Sequence, residues 1–148
     1  MSFNEDKDIR RMIILEHYEN PKYFVSEKQK IDSSYQSFNN NSPTCIDNIT
    51  AYVKLNKDKI ADIKLQGIGC AIATSSTDIM ASMLIGKSIK QANQTINNYL
   101  DMIAQKKFDE KQLQDLYVFS NVNKQANRIN CAKVGILAIK NALNNDKK

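Results

Sequence analysis

The chain has 148 residues, 42% of them hydrophobic, and a formal net charge of +5. This length and apolar content predict a single domain over residues 1–148, with its own core and flexible ends at 1–5 and 144–148. No apolar run reaches the roughly 20 residues needed to cross a bilayer, and the start lacks the basic and apolar parts of a signal peptide. We therefore expect a cytoplasmic protein that does not bind a membrane.

The positive charge does not indicate a nucleic-acid partner. Nucleic-acid surfaces usually cluster basic residues and favour arginine, whose planar fork matches phosphate. This chain has only Arg10, Arg11 and Arg128, and its lysines are scattered among acids and asparagines. Such a pattern is typical of a solvated surface.

The three cysteines, Cys45, Cys70 and Cys131, need a chemical explanation. An odd number cannot form a complete disulfide framework, and a reducing compartment would not favour one. They are therefore free thiols or metal ligands. The one histidine, His17, has no second histidine with which to form a metal site, so we assign it to packing or to the surface.

The first 42 residues predict one helix and a long connection. An apolar stripe with acids in its first turn predicts a helix over 6–18, which Asn20-Pro21 ends. Residues 21–42 have poor periodicity, so we expect a mobile connection with one short edge strand near 34–38.

Residues 49–56 and 60–66 alternate between apolar and polar side chains and predict an antiparallel hairpin. In the second strand, Ala61, Ile63 and Leu65 are expected on the buried face.

The second half of the chain predicts helices. Apolar residues at helical spacing indicate a helix from Cys70 to Gly86 and another over 88–105. The charged segment 106–117 indicates a lid or spacer with a short helix, and a last helix is expected to begin near Cys131.

The hairpin brings two cysteines together. Cys45 lies just before its first strand and Cys70 just after its second, and antiparallel pairing makes these ends neighbours. Cys70 and Cys131 are each expected at a helix N-terminus, where unpaired N–H groups and the helix dipole favour a thiolate. Arg128, three positions before Cys131, is placed to add a cation.

Three thiolates and the carboxylate of Asp47 add up to a four-coordinate shell. Zinc accepts sulfur and oxygen ligands in a tetrahedron, and iron-sulfur clusters also take thiolates. The sequence has none of the paired C-x-x-C units of a structural zinc knuckle. The alternative is three unrelated buried cysteines, since free cysteine often packs as a small hydrophobe. Spacing alone favours neither interpretation.

The amino-acid sequence around each cysteine resembles that of a known family, the IscU/NifU-like iron-sulfur cluster assembly proteins. The motifs that carry the resemblance are 14–21 (ILEHYENP), 43–47 (PTCID), 67–73 (GIGCAIA) and 128–132 (RINCA). They occur in the family's order and extend from the first helix to the last. Within the family the chain is most similar to the SufU-type branch, because Asn130 stands where the IscU branch has histidine and the stretch between Cys70 and Cys131 is long.

The resemblance implies an α+β fold, with a small antiparallel sheet of about three strands packed against helices. It implies that Cys45, Asp47, Cys70 and Cys131 bind zinc, that Cys45 accepts sulfur, and that Arg128 lies beside the site. The implied partners are a SufS-like cysteine desulfurase, which donates persulfide sulfur, and the downstream iron-sulfur assembly machinery.

One position departs from the family. Glycine usually stands between the first cysteine and the aspartate, but here the residue is Ile46, which does not readily take a positive φ. Either the loop uses an ordinary backbone conformation or the site is altered.

We therefore expect a zinc-dependent, sulfurtransferase-like carrier that acts with a cysteine desulfurase. The alternative is a scaffold on which the same four side chains assemble a [2Fe-2S] cluster for transfer to apo-proteins. A third interpretation is a purely structural zinc ion, whose removal would unfold the domain.

Overall fold

The structure is a computed structural model that describes residues 7–41 and 46–145, without the side chains of Asn123 and Asn127. Its helices and strands are, in chain order, α1 (Lys7–Glu19), β1 (Tyr35–Asn41), β2 (Asn48–Asn56), β3 (Lys59–Ile68), α2 (Ala71–Leu84), α3 (Ile89–Ile103), α4 (Glu110–Leu113) and α5 (Ala126–Leu143). Two 3-10 segments, Gln114–Phe119 and Val122–Lys124, connect α4 to α5. Strands and helices are segregated along the chain, which confirms the α+β class.

The sheet is antiparallel throughout, in the order β1-β2-β3. The β2–β3 hairpin forms as predicted, and Lys57 takes a positive φ of 60° in its turn. At the other end Asn48 pairs with Ile68, so the residues before β2 lie next to those after β3. This end of the sheet carries the candidate site.

The prediction that Ala61 faces the core is wrong. A register shift between Lys54 and Leu55 makes Lys54 pair with Asp62 and Leu55 with Ile60. Ala61 is therefore the extra residue of a bulge and is exposed, whereas Ile60 is buried. The bulge changes which residue of β3 faces the core, from Ala61 to Ile60. The alternation of apolar and polar residues does not predict such a bulge.

The connection between α1 and β1 is anchored, contrary to expectation, at the outer edge of β3. The amide of Leu65 donates to the carbonyl of Tyr23 at 2.9 Å, and the amide of Val25 donates to the carbonyl of Leu65 at 2.8 Å. The side chain of Gln66 donates to the carbonyls of Ser26 and Gln29. These bonds satisfy backbone groups that an edge strand would otherwise expose.

The core lies between the sheet and the helices. It consists mainly of apolar side chains from β2, β3, α2, α3 and α5, and the segment 113–119 adds Leu113, Leu116 and Phe119. The segment predicted as a lid or spacer is thus partly core.

Helix α5 packs on β1, β2 and α2. It begins at Ala126, five residues earlier than predicted, because residues 123–130 contain neither glycine nor proline to stop a helix. The amide of Arg128 donates to the carbonyl of Gln125 at 2.8 Å in its first turn. Cys131 is consequently in the second turn, and the prediction that it stands at a helix N-terminus is wrong.

The side chain of Gln36 on β1 donates to the carbonyls of Ala142 and Leu143 at the end of α5. Asn144, where fraying was expected to begin, exchanges side-chain hydrogen bonds with Asn93, and Asn145 donates to the carbonyl of Ser37. Residues 146–148 lie outside the described part of the chain. Among the residues described, no helix has the length and apolar character to cross a membrane.

Candidate metal centre

Three of the four expected ligands come together at the hairpin end of the sheet. Ligand atoms of Asp47, Cys70 and Cys131 all lie within 4.8 Å of one another. The fourth expected ligand, Cys45, lies outside the described residues. The grouping favours a shared site over three unrelated buried cysteines.

Asp47 connects the two strand ends. Its carboxylate is 1% exposed, and its Oδ1 accepts a hydrogen bond from the backbone amide of Cys70 at 2.8 Å. Its Oδ2 lies 3.9 Å from the Sγ of Cys70. A buried carboxylate needs hydrogen-bond donors or a cation, and the second oxygen faces the thiol group as a ligand would.

Cys70 is the N-cap of α2, as the sequence predicts. Its backbone is extended, with φ of −67° and ψ of 176°, and its Sγ accepts a hydrogen bond from the amide of Ala73 at 3.5 Å. An acceptor at this position takes the place of the usual serine or aspartate. Cys70 is half-buried, whereas Asp47 is fully buried.

Gly67, near the end of β3, lets the chain pass close to β2 on its way to Cys70. Its φ is +127°, and a Cβ added there would lie 2.0 Å from the carbonyl oxygen of Asn48. Both the backbone conformation and the close approach of the two strand ends therefore require glycine.

Cys131 reaches the site from α5 and is 2% exposed. Arg128, one helical turn earlier, lies on the exposed surface. Its role beside the site stays a prediction.

Ile46 adds its bulk at the surface. Its side chain is 76% exposed, so its bulk projects into solvent instead of toward the buried carboxylate of Asp47. The backbone conformation at Ile46 depends on Cys45, which lies outside the described part of the chain.

The donor set fits zinc. Zinc binds cysteine sulfur at about 2.3 Å and carboxylate oxygen at about 2.0–2.2 Å, so a tetrahedral sulfur–oxygen edge is about 3.6 Å. The 3.9 Å between Cys70 Sγ and Asp47 Oδ2 is close to this value. One carboxylate and two thiols held this closely are suitable ligands, and Cys45 would supply a third sulfur.

His17, which the sequence analysis left out of the chemistry, is a packing residue. Its Nδ1 lies 2.7 Å from Oδ2 of Asp78, which is fully buried in α2. The other oxygen of Asp78 accepts hydrogen bonds from the amides of Lys22 and Tyr23, each at 2.9 Å. The carboxylate of Asp78 therefore connects the end of α1 and the residues that follow it to α2. The sequence pattern did not predict this role.

Comparison with known proteins agrees with this geometry. The family model for the NifU-like N terminal domain matches residues 10–145. The chain is 33% identical over 143 residues to the zinc-dependent sulfurtransferase SufU of Bacillus subtilis, covering 94% of this chain and 92% of that protein. It is 36% identical over 104 residues to the iron-sulfur cluster assembly scaffold protein IscU of Streptococcus pyogenes, covering 70% of this chain and 65% of that protein.

A solved structure from Fervidobacterium islandicum AW-1, named as an iron-sulfur cluster assembly scaffold protein for the SUF system, superposes with a TM-score of 0.77. It is 28% identical, and the match covers 88% of this chain and 93% of that one. The matched family model, the SufU and IscU relatives and the shared α+β fold agree. The chain therefore belongs to the family of proteins with a NifU-like N terminal domain.

Proposed function

We propose that this protein is a zinc-dependent sulfur acceptor, which takes persulfide sulfur from a SufS-like cysteine desulfurase for iron-sulfur cluster assembly. The observation that carries the proposal is the convergence of a buried carboxylate and two thiols, Asp47, Cys70 and Cys131, at the sheet end next to position 45. The name of the Bacillus subtilis relative supports the same activity. The proposed zinc ligands are Cys45, Asp47, Cys70 and Cys131.

Zinc, when bound, would keep the cysteines as thiolates at neutral pH and mask the nucleophile until a partner docks. The residues of this chain then have separate tasks. Asp47 is the one oxygen ligand in a sulfur-rich set and is therefore the ligand most easily exchanged. Cys70 and Cys131 are held by two packed helices. The Arg128 side chain is proposed to steady negative charge beside Cys131.

The proposed chemical step is a thiol exchange at sulfur. The thiolate of Cys45 attacks the terminal sulfur of the donor's persulfide, a new sulfur–sulfur bond forms at Cys45, and the donor's sulfur–sulfur bond breaks. The donor cysteine leaves as a thiolate, and the proton stays on the transferred sulfur. No net oxidation occurs, so the step needs no further reactant.

The mouth of the site has features that suit a protein partner. Ile68, at the end of β3, is 63% exposed, and Ile46, two residues before β2, is 76% exposed. A persulfide carried by a protein must be brought to the proposed site by contact between the two proteins. Such contact would remove water from the exchanging sulfurs, and the carrier would act catalytically only with its partner, in the cytoplasm.

The second candidate is a scaffold that assembles a [2Fe-2S] cluster and passes it to apo-proteins. The thiol-rich donor set and the IscU relatives favour it. Asn130, which is exposed and stands where the IscU branch has histidine, weighs against it.

Metal and acid-labile sulfide analysis of anaerobically purified protein, followed by addition of a SufS-like desulfurase and cysteine, separates the two candidates. We expect about one zinc per chain, no sulfide, and a desulfurase rate that rises with this protein but not with Cys45→Ser. Iron and sulfide in comparable amounts, without stimulation of the desulfurase, would support the scaffold and overturn the proposal.

A further inference from the structure

Cys70 and Cys131 lie on different helices, so the distance between their sulfurs depends on how closely α2 and α5 pack. Thr77 lies two helical turns after Cys70, and Gly135 lies one turn after Cys131. Residues four and seven apart lie on the same face of a helix. A contact between Thr77 and Gly135 therefore joins the same two helices, one to two turns away from the cysteines.

The helices approach each other very closely at this point. A Cβ added to Gly135 would lie 1.7 Å from Oγ1 of Thr77 and 2.7 Å from both its Cβ and its Cγ2. The positive-φ glycines of the described chain are Gly67 and Gly86, so Gly135 needs no special backbone conformation. Glycine inside a helix costs about 1 kcal/mol relative to alanine. Close approach to Thr77 is the physical reason for a glycine here.

Thr77 cannot easily move away. It is fully buried, and its hydroxyl donates to the carbonyl of Ala73 at 2.6 Å. The neighbouring hydroxyls of Ser75 and Ser76 bond to backbone carbonyls in the same way. Because these groups are satisfied within α2, the helix presents a small, neutral surface on which α5 can pack without unpaired polar atoms.

A third helix, α3, also binds α5 close to Cys131. The hydroxyl of Tyr99, on α3, donates to the carbonyl of Ala132 at 2.8 Å, and Tyr99 is fully buried. Ala132 directly follows Cys131. The turn of α5 that carries the ligand is therefore fixed from two sides.

We propose that Thr77 and Gly135 are positioning residues for the metal centre, because their contact sets the approach of α2 to α5 and thereby the separation of the Cys70 and Cys131 thiols. The inference rests on the proposed metal site. According to this inference, the distance between the two thiols is set partly by a helix contact away from the metal and not only by the segments that carry the ligands.

The test is a size exchange across the contact. Gly135→Ala should force the helices apart and raise the Kd for zinc, measured by competition with a chromophoric chelator, at least tenfold. The double variant Thr77→Gly/Gly135→Ala removes the threonine atoms that the new methyl group would meet, and should return the Kd to within threefold of the wild type. Far-UV circular dichroism establishes that each variant is folded at the temperature of the assay.

Leu113→Ala controls for simple loss of stability. Leu113 is fully buried in α4, which packs on α3 and the following 3-10 segment. This variant should lower the unfolding temperature without changing the zinc Kd. If Gly135→Ala does not fold, Thr77→Ala, which only deletes atoms, takes its place and should raise the Kd at least threefold.

A metal-free measurement separates this inference from the proposed function. In a Cys45→Ser background only Cys70 and Cys131 remain as thiols, and phenylarsine oxide joins two nearby thiols through two arsenic–sulfur bonds with loss of one water. We expect rapid capture of both thiols in the parent and slower capture after Gly135→Ala, with recovery in the double variant. This result would stand even if no desulfurase were stimulated.

Three outcomes would overturn the inference. The first is an unchanged zinc Kd and an unchanged rate of capture by phenylarsine oxide in a folded Gly135→Ala or Thr77→Ala variant. The second is a double variant whose zinc Kd is as high as that of Gly135→Ala. The third is a Leu113→Ala variant that weakens zinc binding as much as Gly135→Ala does.

Discussion

At the scale of single residues, Asp47 has two tasks that can be separated. Its Oδ1 accepts a hydrogen bond from the amide of Cys70 after β3, while its Oδ2 faces the Cys70 sulfur and is the atom proposed to bind zinc. Loss of a buried hydrogen-bond acceptor costs about 1–3 kcal/mol because the donor is left unpaired. The two tasks therefore predict different effects for two substitutions.

Asp47→Asn should keep the acceptor for the Cys70 amide and stay close to the wild type in stability, whereas Asp47→Ala should lose about 1–3 kcal/mol. Both variants lack the carboxylate and should bind zinc at least about tenfold more weakly, the lower end of the effect seen for groups around a metal. Both should also lose stimulation of the desulfurase. Urea unfolding and chelator competition measure the two effects. Wild-type zinc affinity in Asp47→Asn would exclude the carboxylate as a ligand.

At the scale of elements, α1 is attached by half-buried apolar side chains and by one buried carboxylate. Ile13 and Ile14 pack against the core, but none of the residues of α1 is fully buried, and Met12 and Leu15 are 68% and 41% exposed. The contact between His17 and Asp78, with the two amides that bind the same carboxylate, compensates for this thin interface. The 14–21 motif therefore includes the histidine through which the end of α1 is attached to α2.

His17→Ala should destabilise the protein by about 1–3 kcal/mol, because it leaves one oxygen of a buried carboxylate without its partner. Hydrogen exchange should show lost protection in α1, while β2, β3 and α5 keep theirs. Glu16→Ala, an exposed change on the same helix, is the matched control and should leave exchange unaltered. Uniform loss of protection across the chain would show that α1 is not a separate unit of stability.

At the scale of the whole molecule, the proposed metal centre lies at one end of the fold. The main core joins the sheet to α2, α3 and α5 through apolar side chains, and among the described residues it contains neither Asp47 nor Cys70 and Cys131. This separation distinguishes the proposed carrier from a protein that zinc alone holds together.

Removal of zinc with a chelator should therefore leave the protein folded. Far-UV circular dichroism should be retained, and Tm should fall by roughly 5–15 °C, since a ligand that binds only the folded state adds a few kcal/mol of stability. Complete unfolding on chelation, reversed by added zinc, would instead support the purely structural zinc ion.

Local sequence rules determined much of this protein. Alternation over β2 and β3 predicts the hairpin, and antiparallel pairing then places Cys70 beside Asp47, because both lie close in sequence to the paired strand ends. The helix cap at Cys70 and the glycine at position 67, with its positive φ, are also local features. The motifs around the cysteines predicted the family.

Only the tertiary structure decided the rest. Cys131 joins the site because α5 packs on α2, where Gly135 leaves room for the side chain of Thr77, a residue far away in sequence. The bulge at Ala61, the burial of Asp78 against His17 and the outward direction of Ile46 likewise depend on long-range packing. Hydrogen bonds and periodicity over a few residues define elements, but the distances between elements are set by which side chains meet in the core.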